Sequence, residues 1–164
     1  MLIRPKYQDV YIKLAHDVAQ LSYAKKMKVG AVIVKGNRIL SFGYNGTPPG
    51  WDNKCEDKVF WKEGERTEDY PFEEFSDYDG VLIGRYKLTT KPHVIHAEEN
   101  AILHLTKSHE SSEGTSLFLT HSPCVECFKT ILGAGIEEVY YRTKYRCDSG
   151  IELLKEGGVK VYNI

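Results

Sequence analysis

Apolar positions recur at helical spacing between residues 7 and 23, where Val10, Tyr11, Leu14, Ala15 and Val18 share one face, so a helix is expected there. The period then changes. Val29 to Val34 is β-branched and almost wholly apolar, "KGNR" supplies a turn, and Ile39 to Tyr44 runs back, which predicts a pair of strands. "GYNGTPPG" opposes any continued strand and reads as a loop. From residue 96 the pattern alternates: a helix over 96–107, a strand over 116–120, a helix over 124–133, a strand over 136–141, a short helix over 149–156 and a closing strand in "VKVYN". Gly133, Gly135, Gly157 and Gly158 fall where helix stops are expected. Such alternation predicts an α/β layered domain, one sheet covered on both faces.

Residues 51–92 break this rhythm. Between Glu56 and Gly80 there are ten acidic residues against three basic ones, mixed with Phe60, Trp61, Tyr70, Phe72, Phe75 and Tyr78. That many aromatics argue against a disordered linker. The expectation is a single domain over 1–164 with an ordered insertion at about 51–92, packed on the main body with an acidic outer face.

Composition narrows the function classes. A chain of 164 residues with 41% hydrophobic and 27% charged residues is of ordinary globular make-up and can bury a core. A net charge of −1 gives no general attraction for nucleic acid or acidic membranes. The opening "MLIRPKYQDV" lacks the apolar run of a secretory signal, and no apolar stretch reaches membrane-spanning length, so a cytoplasmic protein is expected. Its four cysteines, 55, 124, 127 and 147, are then not read as a disulfide framework.

The close pair Cys124 and Cys127 suggests metal or redox work, and CxxC alone does not choose between a dithiol and a zinc site. "HAEENAI", starting at His96, adds an imidazole at the start of a helix and a glutamate two residues on. The i, i+3 spacing places both sulfurs on one face of the expected 124–133 helix, with Pro123 in its first turn. A helix N-terminus favours thiolate, the form zinc binds. Three protein ligands leave a fourth tetrahedral position open, the mark of catalytic rather than structural zinc. Zinc lowers the pKa of bound water to roughly 7, and Glu98 is placed to shuttle the proton. A redox dithiol would explain neither His96 nor Glu98. The order His-x-Glu followed by Pro-Cys-x-x-Cys is the signature of zinc nucleobase deaminases, whose glutamate stays outside the metal shell.

With "VGAVIV", "NRILSFGYNGTPPG", "HAEENAI", "SPCVEC" and "YRCDSGIELLKEGGVKV", the sequence resembles the deoxycytidylate (dCMP) deaminases over nearly its whole length. The resemblance implies a three-layer cytidine-deaminase-like α/β fold, with a central mixed sheet of about five strands and helices on both faces. It implies hydrolysis of dCMP to dUMP and ammonia, supplying dUMP for dTMP synthesis. By the same resemblance His96, Cys124 and Cys127 hold one Zn²⁺ per chain and Glu98 is the proton shuttle.

Asn45 is similar to the asparagine that holds the bound nucleotide, although an asparagine between glycines is often only a left-handed turn residue. Lys26 stands where the family usually has an arginine for the phosphate, with Lys25 and Lys28 near enough to be confused with it. Tyr145 and Arg146 resemble a phosphate-binding Tyr-Arg pair, and Ala97 with Ser122 is expected to orient the pyrimidine edge. Regulation is implied as well: activation by dCTP and inhibition by dTTP, with Mg²⁺, at Gly43, Tyr44, Asn45 and Gly46, in a homohexamer. Some members carry a second zinc; Cys55 and His93 match part of that site, but Ala24 stands where a cysteine belongs. Deaminases acting on tRNA adenosine share the zinc motifs but lack the GYNG loop and the long insertion. They are the alternative reading, as is a nucleotide-binding member without activity.

Overall fold

The computed structural model describes residues 3–164; Met1 and Leu2, the start of the "MLIRPKYQDV" segment, lie outside the described residues. Helix α1 (Pro5–Ala19) opens with proline in its first turn, where the missing N–H is no loss. Strands β1 (Gly30–Lys35) and β2 (Arg38–Tyr44) follow as an antiparallel hairpin. After the insertion come α2 (Ala97–Leu105), β6 (Ser116–His121), α3 (Phe128–Gly133), β7 (Glu138–Thr143), α4 (Ser149–Glu156) and β8 (Lys160–Asn163).

The sheet has the order β2-β1-β6-β7-β8, antiparallel on the β2 side and parallel from β6 to β8. Alternate residues of each strand face opposite layers. Val32, Val34, Phe118 and Tyr140 pack with Tyr11 and Ala15 of α1, while Ile33, Leu117, Leu119 and Val139 pack with Ala101, Ile131 and Leu154 of α2, α3 and α4. This is the expected three-layer mixed sheet with helices on both faces. On the α1 side, Phe118 stacks on Tyr140 at 4.6 Å and Tyr140 on Tyr162 at 4.9 Å, each pair contributing about 0.5–1.5 kcal/mol beyond its burial. The buried Glu138 carboxylate beneath them accepts hydrogen bonds from Tyr140 and Ser116. No helix among the described residues is long and apolar enough to cross a membrane.

The insertion forms its own antiparallel sheet from β3 (Glu56–Phe60), β4 (Phe72–Phe75) and β5 (Leu82–Thr90), in the order β3-β5-β4. These strands pack on one another and not extensively on the main sheet or its helices, contrary to the expectation of an insertion laid against the body. Phe60 and Phe72 lie 5.8 and 5.4 Å from the Tyr86 ring, yet both stay exposed, as do Trp61, Phe75 and Tyr78, and of the insertion's aromatics Tyr70 alone is buried. Many of the acids are offset by cations across the strands, Glu74 by Lys58 and Glu73 by Arg85. The root of this arm is tied to the body through a small buried group, Ala24, Cys55 and Val94.

Candidate metal centre and adjoining cleft

The α2 helix begins at the base of the main sheet because two neighbours fix its start. Ile95 exchanges backbone hydrogen bonds with Gly46 at 2.9 and 3.1 Å, and the His96 N–H donates to Glu99 at the third helical position, 3.3 Å away. Glu99 therefore caps the helix, an ordinary structural use of a carboxylate. Glu98 points the other way and is only 4% exposed. Burial pushes its carboxyl up to about 7.

Cys124 and Cys127 arrive differently from expectation. The helix starts only at Phe128; Cys127 is its N-cap, and residues 124–127 form a turn closed by the Cys127 N–H donating to the Cys124 carbonyl at 3.2 Å. The turn does the work assigned to the helix face, since the backbone N–H groups of Glu126 and Cys127 are both directed at the Cys124 sulfur. It is packed tightly from behind: a Cβ on Gly150 would stand 2.3 Å from the Pro123 carbonyl oxygen, so only glycine lets α4 approach so closely.

The three donors converge. His96 Nδ1 lies 3.1 Å from Cys127 Sγ and 3.4 Å from Cys124 Sγ, and the sulfurs are 3.6 Å apart. A tetrahedral ion with bonds of about 2.3 Å to sulfur and about 2.0 Å to nitrogen spaces its ligands roughly 3.5–3.8 Å apart, so the group fits Zn²⁺ with little adjustment. The Cys127 thiol and then His96 press the Cys124 thiol down to about 4, while Cys127 shifts up because it keeps the shared proton. Hydrogen bonding to Cys124 raises His96 to about 9. Such shifts are those of a donor cluster concentrating negative charge, the condition a dication relieves.

A sequence comparison settles the lineage: residues 5–143 match the cytidine and deoxycytidylate deaminase zinc-binding region. The chain belongs to the cytidine and deoxycytidylate deaminase family. It is similar to the deoxycytidylate deaminase of Enterobacteria phage T4, 32% identical over 170 residues that cover 93% of this chain and 87% of that one. The crystal structure of the dCMP deaminase from cyanophage S-TIM5, in complex with dCMP and dUMP, superposes with a TM-score of 0.78 at 39% identity, covering 99% of this chain and 100% of that chain. A tRNA:A34 deaminase structure, at 18% identity and a TM-score of 0.56 over 96% of this chain and 98% of that one, shares the fold alone.

In this deaminase the zinc group opens onto a cleft. Lys26, Asn45, Ala97, Ser122 and Tyr145 line it beside Glu98. Arg146 is exposed and sits on the same loop beyond the lining. Lys25 and Lys28 line a separate groove, while Lys26 is the lysine on the wall of this cleft.

The lysine segment has no regular structure, yet side chains hold its main chain throughout. The Ser22 hydroxyl donates to the Asn45 carbonyl at 2.6 Å. The Glu56 carboxylate, at the root of the arm, accepts from the N–H groups of both Lys25 and Lys26 at 3.0 Å. The Asn45 amide accepts from Val29 N–H at 2.8 Å and donates to the Met27 carbonyl at 2.9 Å. Asn45 is no left-handed turn residue, for no described residue other than glycine has positive φ. Ser122 plays a similar part on the opposite wall, its hydroxyl accepting from Tyr145 N–H at 2.8 Å.

Gly43 departs from its expected place. It is buried, and a Cβ there would meet the Ala101 nitrogen at 2.3 Å and the Ala97 carbonyl oxygen at 2.5 Å. Its missing side chain lets α2 lie on β2. Tyr44 and Gly46 line another cleft with Trp51, Asn100 and His104. Cys55 is packed on Ala24 and Val94, its thiol pushed up by burial, and the His93 ring lies 4.5 Å from Trp51. Among the cleft residues without a sequence signal are two titratable ones: Glu56, which looked like one acid among ten, and His121, which lies just past the strand expected over 116–120.

Proposed function

We propose that this chain is a zinc-dependent dCMP deaminase, converting dCMP and water to dUMP and ammonia. The observation that carries it is the convergence of His96, Cys124 and Cys127 within 3.1–3.6 Å beside the buried Glu98, in a cleft with Lys26 on its wall. A bound zinc ion supplies a Lewis acid that makes water nucleophilic at neutral pH. Glu98, shielded from bulk solvent, takes one proton from the attacking water and passes it to N3 of the cytosine, then takes the second from the new C4 hydroxyl and gives it to the amino group as the C4–N bond breaks and C4=O forms. Ala97 and Ser122 border the pyrimidine edge, and Lys26 with Tyr145 and Arg146 serves the phosphate. Lysine brings charge without the bidentate fork of arginine.

The finer parts of this reading are a single functional domain over 1–164, a cytoplasmic enzyme supplying dUMP for dTMP synthesis, and a homohexamer. In it dCTP with Mg²⁺ activates and dTTP inhibits at the second cleft around Tyr44 and Gly46. The test is ammonia release from dCMP, dCTP, cytidine and a tRNA anticodon stem-loop by zinc-loaded protein, with dCMP saturation curves repeated with dCTP or dTTP. Release from dCMP above all others supports the activity; release from the RNA alone overturns it. Removal of zinc by a chelator and its restoration should abolish and recover turnover together.

A further inference from the structure

We propose that His121 is a substrate-binding residue that donates its Nε2–H to the 5′-phosphate of the nucleotide, an inference that rests on the dCMP reading above. His121 follows Leu117 and Leu119 on the helix-covered face of β6, at the strand end where the cleft opens. The Thr120 hydroxyl accepts from Gly30 N–H at 3.2 Å and lies 3.0 Å from His121 Nδ1, where its own hydrogen is free to be donated. With Nδ1 accepting, the neutral ring carries its proton on Nε2. Nε2 has no protein partner among the described residues and is not sealed from solvent. Burial, followed by the neighbouring His16, holds His121 below its ordinary pKa and so favours that neutral donor.

The phosphate is the acceptor that fits. Among the side chains lining the cleft Lys26 is the one lysine or arginine, and Glu56 is turned to the backbone N–H groups of Lys25 and Lys26. Arg146 stands beyond that lining, so within the cleft itself a single ammonium leaves phosphate oxygens open to further donors. His121 pairs across the sheet with Thr143, and Ser122 next to it holds Tyr145, so His121 and Tyr145 form one wall. Together with Lys26 they offer three separate donors to one dianion.

The test compares wild type, His121→Phe, which keeps a ring without a donor, and His121→Gln, whose amide nitrogen takes the place of Nε2. KM and kcat are measured for dCMP, and dissociation constants for dUMP and for deoxyuridine by calorimetry, at equal zinc content. Loss of a hydrogen bond to a charged group predicts about a ten- to hundred-fold rise in KM for dCMP and in Kd for dUMP with His121→Phe. Deoxyuridine affinity and kcat should stay within about threefold, and His121→Gln should recover most of the loss. Equal weakening of dUMP and deoxyuridine, or no weakening of either, overturns the assignment while leaving the activity standing. Wild-type protein that neither binds dUMP nor deaminates dCMP overturns both.

Discussion

Asn45→Ala separates two roles for one side chain. In the structure the Asn45 amide holds the loop wall through two partly buried bonds to main-chain groups, 2.8 Å from Val29 N–H and 2.9 Å to the Met27 carbonyl. Each lost bond costs about 1–1.5 kcal/mol, so the variant should be about 2–3 kcal/mol less stable. For a chain of this size that corresponds to a fall in Tm of about 4–12 °C. Asn45→Asp keeps the acceptor for Val29 and loses the donor to Met27, and should fall between wild type and Asn45→Ala. KM for dCMP should rise in the same order, because Lys26 sits on the loop being loosened. Thermal melts by circular dichroism in zinc-replete buffer, run beside an absorbance assay of dCMP deamination, give both quantities. A Tm within about 1 °C of wild type with a large rise in KM would refute this account and return Asn45 to direct contact with substrate alone.

Three further outcomes are expected. Glu98→Gln should lower kcat by at least about 10²-fold while retaining stoichiometric zinc by metal analysis, because proton transfer by a positioned carboxylate contributes roughly 10²–10⁴-fold; near-normal turnover would remove Glu98 from the chemistry. Gly43→Ala forces a methyl group to 2.3 Å from the α2 backbone, which no rotamer relieves, and should cost about 2–3 kcal/mol, read as a Tm lower by about 4–12 °C. His121 binds fewer protons folded than unfolded, since its folded pKa lies below its ordinary 6.5. Its contribution is therefore complete above 6.5 and is lost as pH falls from there through the lower folded value, so the melting temperature of wild type relative to His121→Gln should fall from pH 8 to pH 5.

How much of this was legible in the sequence depends on the range of the interaction that decides it. The α4 helix at 149–156 and the β1–β2 hairpin follow from local periodicity, which side-chain burial then rewards. The ligand set was readable because metal chemistry restricts residue types and spacing together. Its local geometry was not: Cys124–Cys127 folds as a turn under α4, and what permits that is Gly150, a residue distant in sequence. The arm was readable as ordered but not as packing chiefly on itself, since a count of aromatics does not say what they lie against or how far they are covered. Gly43 and Glu56 misled for the same reason. A glycine in a glycine-rich loop looks like freedom for a ligand, and an acid in an acidic run looks like a solvated charge; a helix 54 residues on and an N–H pair 30 residues back decide otherwise. His121 has a signal in hindsight, a polar residue continuing the Leu117–Leu119 face.

From Lys25 to Val29 the segment is gripped at its amide groups and a carbonyl by Asn45 and Glu56, and the Ser22 hydroxyl and buried Ala24 anchor its start. Its conformational entropy is therefore surrendered when the chain folds and not when a nucleotide arrives. None of these clasps consults the side chain at position 26. That makes residue 26 an interchangeable tooth in a fixed comb, where shorter, longer or forked cations can be tried against mono-, di- and triphosphates without rebuilding the wall that presents them.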